Sequence, residues 1–364
     1  MRTLFLFQLA LWLTPLGAAS AREWPLWDGH ETVEAYAKKV NLPPTKSLDL
    51  GNGVMLDLVL IPAGQFIMGS PEPAKPNITG EGAVMMTHFG FASMLCTVFA
   101  LGIKSYRKAK LSFSLRWLLL MTIASGVTVG GICRTYLACE QLKSYETERR
   151  LYDQLPDNEK PGCPVTHTQP FYMGKYMVTQ SQYEAVMGIN PSFTRGAQLP
   201  VEFVSWTDAE KFCRKLNSSS RLQTLEVRLP TEAQWEYACR AGTRTLYYSG
   251  NLESDLDTVA WYMANSASNL QPVGLKKPNA FGLFDMHGNA LQWCQDTFTY
   301  HYDTRPSIDP VNNKGEGRIV RGSCVVDSPE SCRASHRNWN NLNNDFGSGR
   351  HSFRVVVVPL PRTQ

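Results

Sequence analysis

Two cysteines near the C-terminus are the residues of this chain best placed to do chemistry. Cys324 and Cys332 stand in Arg-Gly-Ser-Cys-Val-Val-Asp-Ser-Pro-Glu-Ser-Cys (Arg321–Cys332), with seven residues between them. Paired thiolates are soft ligands that select Cu(I). In an oxidising compartment the same thiols would instead form disulfides. A second group follows at once: Asn338-Trp339-Asn340-Asn341, then Asn343-Asn344. Its amides offer donors and acceptors around an aromatic ring, which suits a recognition surface and equally a solvated loop.

Other chemistries lack their residues. His287, His301, His336 and His351 are scattered, without the His-x-x-x-His spacing that sets two imidazoles on one helix face. There is no Gly-x-Ser-x-Gly elbow and no phosphate-binding glycine loop. Glu232, Glu236 and Asp296 sit in otherwise structural motifs and read as capping or solvated acids. The formal net charge of +4 comes without a clustered basic face, so nucleic acid is not expected as a partner.

The elements that must position these residues are partly legible. Arg22–Lys46 is a polar lead-in with a short helix over Glu31–Val40 that ends before Pro43-Pro44. Val54–Ile61 alternates apolar and polar residues and reads as a strand; Pro62-Ala63-Gly64 is a turn, and Gln65–Gly69 its return strand. Further on, three helix starts carry capping signatures: Thr179 with Gln182, Ser205 with Asp208, and Thr231 with Gln234. In each, a hydroxyl can accept from the third helical amide while the longer side chain reaches back. Gly188 ends the first helix. The second turns Trp206, Ala209, Phe212, Cys213 and Leu216 to one side, and the third turns Trp235 and Ala238 inward.

Two apolar stretches interrupt this pattern. Residues 82–103 and 117–133 are nearly free of charge, and the connector 104–116 holds Lys104, Arg107, Lys108, Lys110 and Arg116 with no acid. Segments of about 20 apolar residues suffice to cross a bilayer as helices, and short basic loops stay cytoplasmic. The N-terminus agrees: Met1-Arg2, an apolar run Leu4–Leu16 and the small-residue site Ala19-Ser20-Ala21 make an export leader, cleaved or kept as an anchor. Residues 134–163 form a charged, largely helical stem. The expectation is an integral hairpin in the inner membrane, with the main domain on the periplasmic side.

Seven blocks carry a resemblance. LIPAGQFIMGS (Leu60–Ser70), FYMGKYMVTQSQYEAVMG (Phe171–Gly188), PVEFVSWTDAEKFCRKLN (Pro200–Asn217), RLPTEAQWEYACRAG (Arg228–Gly242), NAFGLFDMHGNALQW (Asn279–Trp293), RIVRGSC (Arg318–Cys324) and SFRVV (Ser352–Val356) resemble, in order, the formylglycine-generating enzyme family, or sulfatase-modifying factor domain. The resemblance implies a single α+β domain of the C-type-lectin-like kind with much irregular structure. It would be built from residues 47–71 and 164–360 and interrupted by the hairpin, after a leader over 1–21 and a lead-in over 22–46.

Family enzymes oxidise a sulfatase cysteine to formylglycine with oxygen and a Cu(I) ion held by two cysteines with four residues between them. Counting from Arg321, Asp327 falls on the first copper position and Cys332 on the second, so the pair is not intact. Cys332 and Cys324 stay as catalytic candidates for an altered oxidase. The resemblance also suggests a Cys239–Cys332 disulfide. The calcium-binding block of relatives reads Gly288-Asn289-Ala290-Leu291-Gln292-Trp293 here. Gln292 replaces a glutamate, so Asn289, Ala290 and Gln292 make a weakened calcium set. Arg337 and Arg354 match arginines that tie the C-terminal loop to the core. The expectation is therefore a tethered domain, not an oxidase, that recognises a peptide, glycan or partner protein through Asp327, Arg337, Trp339 and Asn340. The alternative is an active sulfatase-maturing enzyme.

Overall fold

The turn Asn52-Gly53 sets the first pairing. Both residues take positive φ, 53° and 76°, which a tight two-residue hairpin requires and which Asn-Gly supplies at little cost. It joins β1 (Thr45–Gly51) to β2 (Val54–Ile61), pairing Gly51 with Val54 and Leu48 with Leu56. The computed structural model describes residues 24–76, 140–218, 225–340 and 349–359. The leader, the apolar segments 82–103 and 117–133, their basic connector and Asn341, Asn343 and Asn344 lie outside the described residues. Among the described residues no helix is long and apolar enough to cross a membrane.

The chain divides into two units, one of residues 1–68, 164–299 and 305–364, the other of residues 69–163 and 300–304. In the smaller unit a helix spans residues 140–154, where charged stem residues predict one. Arg149 on it pairs with Asp153 at 3.0 Å and with Glu72.

The larger unit is built on short sheets. A five-stranded sheet runs β1-β2-β5-β12-β6, with β5 Phe171–Gly174, β6 Leu225–Arg228 and β12 Val356–Pro359. In β2 the alternation predicted from sequence holds only over its first half. From Leu58 onward both faces are buried, because β1 and β5 flank the strand and α1 (Val33–Val40) brings Tyr36 and Val40 into the same core. The expected return strand forms at Gly64–Met68 (β3) but does not pair with β2. It belongs instead to a three-stranded sheet with β4 (Cys163–His167) and β8 (Ser307–Ile308). A third sheet runs β10-β9-β7-β11, from Asn338–Asn340, Arg318–Arg321, Leu291–Thr297 and His351–Ser352.

All three capping boxes form. They open α2 (Gln180–Met187), α3 (Trp206–Asn217) and α4 (Glu232–Arg240), with each hydroxyl accepting from the third helical amide. Gly188 closes α2 at φ 80°. On α3, Ala209, Phe212, Cys213 and Leu216 are buried, and the Trp206 indole donates to the Cys294 carbonyl at 2.8 Å. Helix α4 differs from its expectation: every residue is buried, charged ones included. It runs through the centre of the unit, and its acids must therefore find partners inside the protein.

Candidate functional site

Beyond β9 the chain enters the loop that carries the candidate cysteines. Gly322 and Ser323 take positive φ, 92° and 65°, reversing the chain so that Asp327 folds back onto it. The Asp327 carboxylate accepts from the Ser323 hydroxyl and the Cys324 amide, both at 2.8 Å. Asp327 is thus a loop clasp, turned toward its own backbone. Cys332 closes the 3-10 turn Pro329–Cys332, which the Tyr247 hydroxyl holds by donating to the Pro329 carbonyl at 2.9 Å.

Both thiols are buried, with Cys324 4% and Cys332 0% exposed. Burial pushes each up to about 12, so each is protonated at neutral pH and a poor ligand for a soft cation. The oxygen donor that stands at the first copper position is already committed to two hydrogen bonds. This donor set does not fit a copper centre of two thiolates.

The disulfide expected between Cys239 and Cys332 is not formed: both are free thiols. His287 lies beside both: its Nε2 is 3.8 Å from the Cys239 sulfur and its Nδ1 donates to the Cys332 carbonyl at 2.7 Å. Nε2 in turn accepts from the Tyr248 amide at 3.1 Å. Burial lowers this imidazole to about 3, keeping it neutral.

Of the candidate calcium residues, Gln292 and Asn289 spend their side chains on hydrogen bonds within the protein. The Gln292 carbonyl oxygen accepts from the Trp235 indole at 2.8 Å and from Arg354 Nε at 2.7 Å, and its amide donates to the Asp285 carbonyl at 2.9 Å. Asn289 spends its side chain on the backbone of Gln271, at 3.1 and 3.0 Å, and its carbonyl accepts from Val325. Ala290 is fully buried. These residues brace the core, and their donor set does not fit a calcium ion.

Of the four proposed surface residues, Arg337 is misplaced. It is 5% exposed and forks onto Glu232 at 2.7 and 3.0 Å. Beside it Arg321 pairs with Glu236, which Arg240 also meets at 2.8 Å. Trp339 is 45% exposed, stacked on Phe298 with centroids 5.7 Å apart. It pairs with Ile319 across β10–β9, and its ring covers Gly317, where any Cβ would meet it at 2.6 Å. Asn340 is half-buried opposite Arg318. Trp339 and Asp327 therefore lie toward opposite ends of β9, and the four candidates do not form one surface. Sequence reasoning also missed a pocket of about 260 Å³ lined by His167, Arg228, Glu226 and Asp309. No motif signals it, because its walls come from four separated segments.

Residues 142–358 match the model of the sulfatase-modifying factor enzyme 1-like domain. The chain belongs to this family. Relatives include the chaperone protein LppX of Paenibacillus barcinonensis, 29% identical over 46% of this chain and 73% of that one. The formylglycine-generating enzyme of Streptomyces coelicolor is 30% identical over 46% of this chain and 56% of its own length. The match covers 23% of the serine/threonine-protein kinase pkn1 of Chlamydia pneumoniae and 45% of the bovine formylglycine-generating enzyme. Among solved structures, Treponema denticola variable protein 1 is similar at TM-score 0.57 and 22% identity, covering 87% of this chain and all of that one. PvdO from Pseudomonas aeruginosa is similar at 0.56 and 21%, covering 87% and 99%. These two show the mixed α+β fold shared with the family.

Proposed function

We propose that this chain is a recognition member of the sulfatase-modifying factor family that makes no formylglycine and binds a partner polypeptide. One observation carries this reading: in the Arg321–Cys332 loop both thiols are buried, and Asp327 is clasped to Ser323 and Cys324. An oxidase of the family's kind needs two reachable thiolates at that place.

The binding face proposed is strand β10 with Trp339. β10 is the end strand of its described sheet, and Trp339 on it is half-exposed, a place where an extended peptide could lie alongside. The half-exposed indole, held flat by Phe298, is the kind of rigid anchor that concentrates binding energy. The family relative named as a chaperone protein supports a polypeptide over a glycan. As part of the same proposal, segments 82–103 and 117–133 form a membrane hairpin, with the domain on the periplasmic side.

A peptide array and a glycan array, probed with the full protein in detergent, test this reading. Binding to a subset of peptides that weakens about tenfold in Trp339→Ala, at unchanged circular dichroism, is the expected result. Binding confined to glycans, or peptide binding indifferent to Trp339, would contradict it. A second reading, a formylglycine-generating oxidase with an altered ligand set, is favoured by the named enzymes among the relatives.

A further inference from the structure

Glu226 and Arg228 of the edge strand β6, His167 at the end of β4, and Asp309 and Val311 just past β8 line a pocket of about 260 Å³. Glu226 and Arg228 are two residues apart on β6 and so share one face. The parallel pairing of β4 with β8 sets Thr166 opposite Ile308 and brings His167 beside Asp309, whose amide donates to the Thr166 carbonyl at 2.9 Å. Phe171, Val311 and Val358 supply an apolar wall.

The polar groups here are charged and incompletely used. Arg228 donates from Nη1 to the Leu229 carbonyl, Gln234 and Gln295, at 3.0, 2.8 and 3.3 Å. Its Nε and Nη2 hydrogens have no protein acceptor, and no carboxylate pairs with it, among the described residues. His167 is 1% exposed, and its Nε2 has no hydrogen-bond partner. Its Nδ1 lies 3.6 Å from the Asp309 carboxylate. Thr168 fixes that carboxylate through its amide at 3.1 Å and through its hydroxyl.

We infer that this pocket binds an α-amino acid with a small apolar side chain. The free edge of the Arg228 guanidinium matches a carboxylate, the pairing to which its planar fork is suited. Glu226 and Asp309 present acceptors and negative charge for an ammonium group. The apolar wall takes the side chain. An anion alone would meet two carboxylates, and a cation alone would meet the guanidinium; a zwitterion satisfies both. The volume lies just under the range of pockets for drug-sized ligands, which is the scale of one amino acid.

The inference stands apart from the polypeptide-binding reading, since it uses none of β10 or the cysteine loop. Isothermal titration of the full protein with L-valine, L-leucine and L-phenylalanine tests it, against 4-methylpentanoate and 3-methylbutylamine as the separate charged halves of leucine. Saturable binding of at least one amino acid, absent for both halves, is expected. Glu226→Gln and Asp309→Asn should each weaken it about tenfold or more at unchanged circular dichroism; asparagine tolerates the φ of 44° at position 309. No saturable heat from any of the three up to about 10 mM, or equal binding of the carboxylate half, would overturn it.

Discussion

Arg354 and Gln292 meet in the interior, the guanidinium Nε donating to the amide oxygen at 2.7 Å while Trp235 donates to the same oxygen at 2.8 Å. Arg354 is fully buried, and its remaining hydrogens go to the carbonyls of Gly174 and Phe284, both at 2.8 Å. A single neutral amide thus anchors a buried cation and an indole where relatives place a calcium-binding glutamate.

Removing that amide leaves the cation short of an acceptor. Gln292→Leu should cost about 3 kcal/mol, the scale of a lost hydrogen bond to a charged group plus an unmatched buried donor. Urea unfolding measures it. Calcium should leave the wild-type midpoint unchanged, and a calcium-dependent rise would restore the metal reading.

Arg337 and Glu232 make the next test. Arg337→Ala leaves the 4%-exposed Glu232 carboxylate with Arg321 at 3.8 Å and should cost about 3 kcal/mol, the low end for removing one partner of a buried pair. A surface role would instead leave stability within about 0.5 kcal/mol.

Asp285 gives stability a pH dependence. Burial raises its carboxyl from 3.8 to about 6, so the folded protein holds this proton in a window where the unfolded chain has lost it. Its contribution is therefore full below about pH 4 and is lost as pH rises through 6. His287 opposes it: lowered to about 3, it contributes above 6.5 and loses that contribution as pH falls. Asp285→Asn isolates the first effect. Relative to this variant, wild type should lose about 3 kcal/mol between pH 4 and 8; a flat difference would contradict the assignment.

Thiol chemistry should be slow. Cys213, Cys239, Cys324 and Cys332 are buried and held near 12 by desolvation. Iodoacetamide at pH 8 should leave them unmodified in the native protein and label all four in urea without prior reduction. Labelling that needs a reductant would reveal a disulfide.

Local signals carried most of what was legible in the sequence. Thr179, Ser205 and Thr231 announce their helices because a cap and its partner lie three residues apart, and the family motifs fix their order. The partner of β3 was not legible, since Gly64–Met68 pairs with a strand about 100 residues downstream. Arg337 looked like a surface residue because its acid lies 105 positions earlier. The Cys239–Cys332 pairing rested on the family resemblance alone, and in the structure both are free thiols with His287 beside them. The Asn52-Gly53 turn that pairs β1 with β2 carries a local hairpin signal of the same kind.

On the proposed reading, the Arg321–Cys332 loop does not support formylglycine formation. A mass-spectrometric turnover assay tests it directly: purified protein, Cu(I), oxygen, a thiol reductant and a cysteine-type sulfatase peptide, beside an active family enzyme and a Cys332→Ala control. The account predicts no conversion of the peptide cysteine while the reference enzyme turns over. Conversion that disappears in Cys332→Ala would contradict it and make this chain an oxidase with a different ligand set.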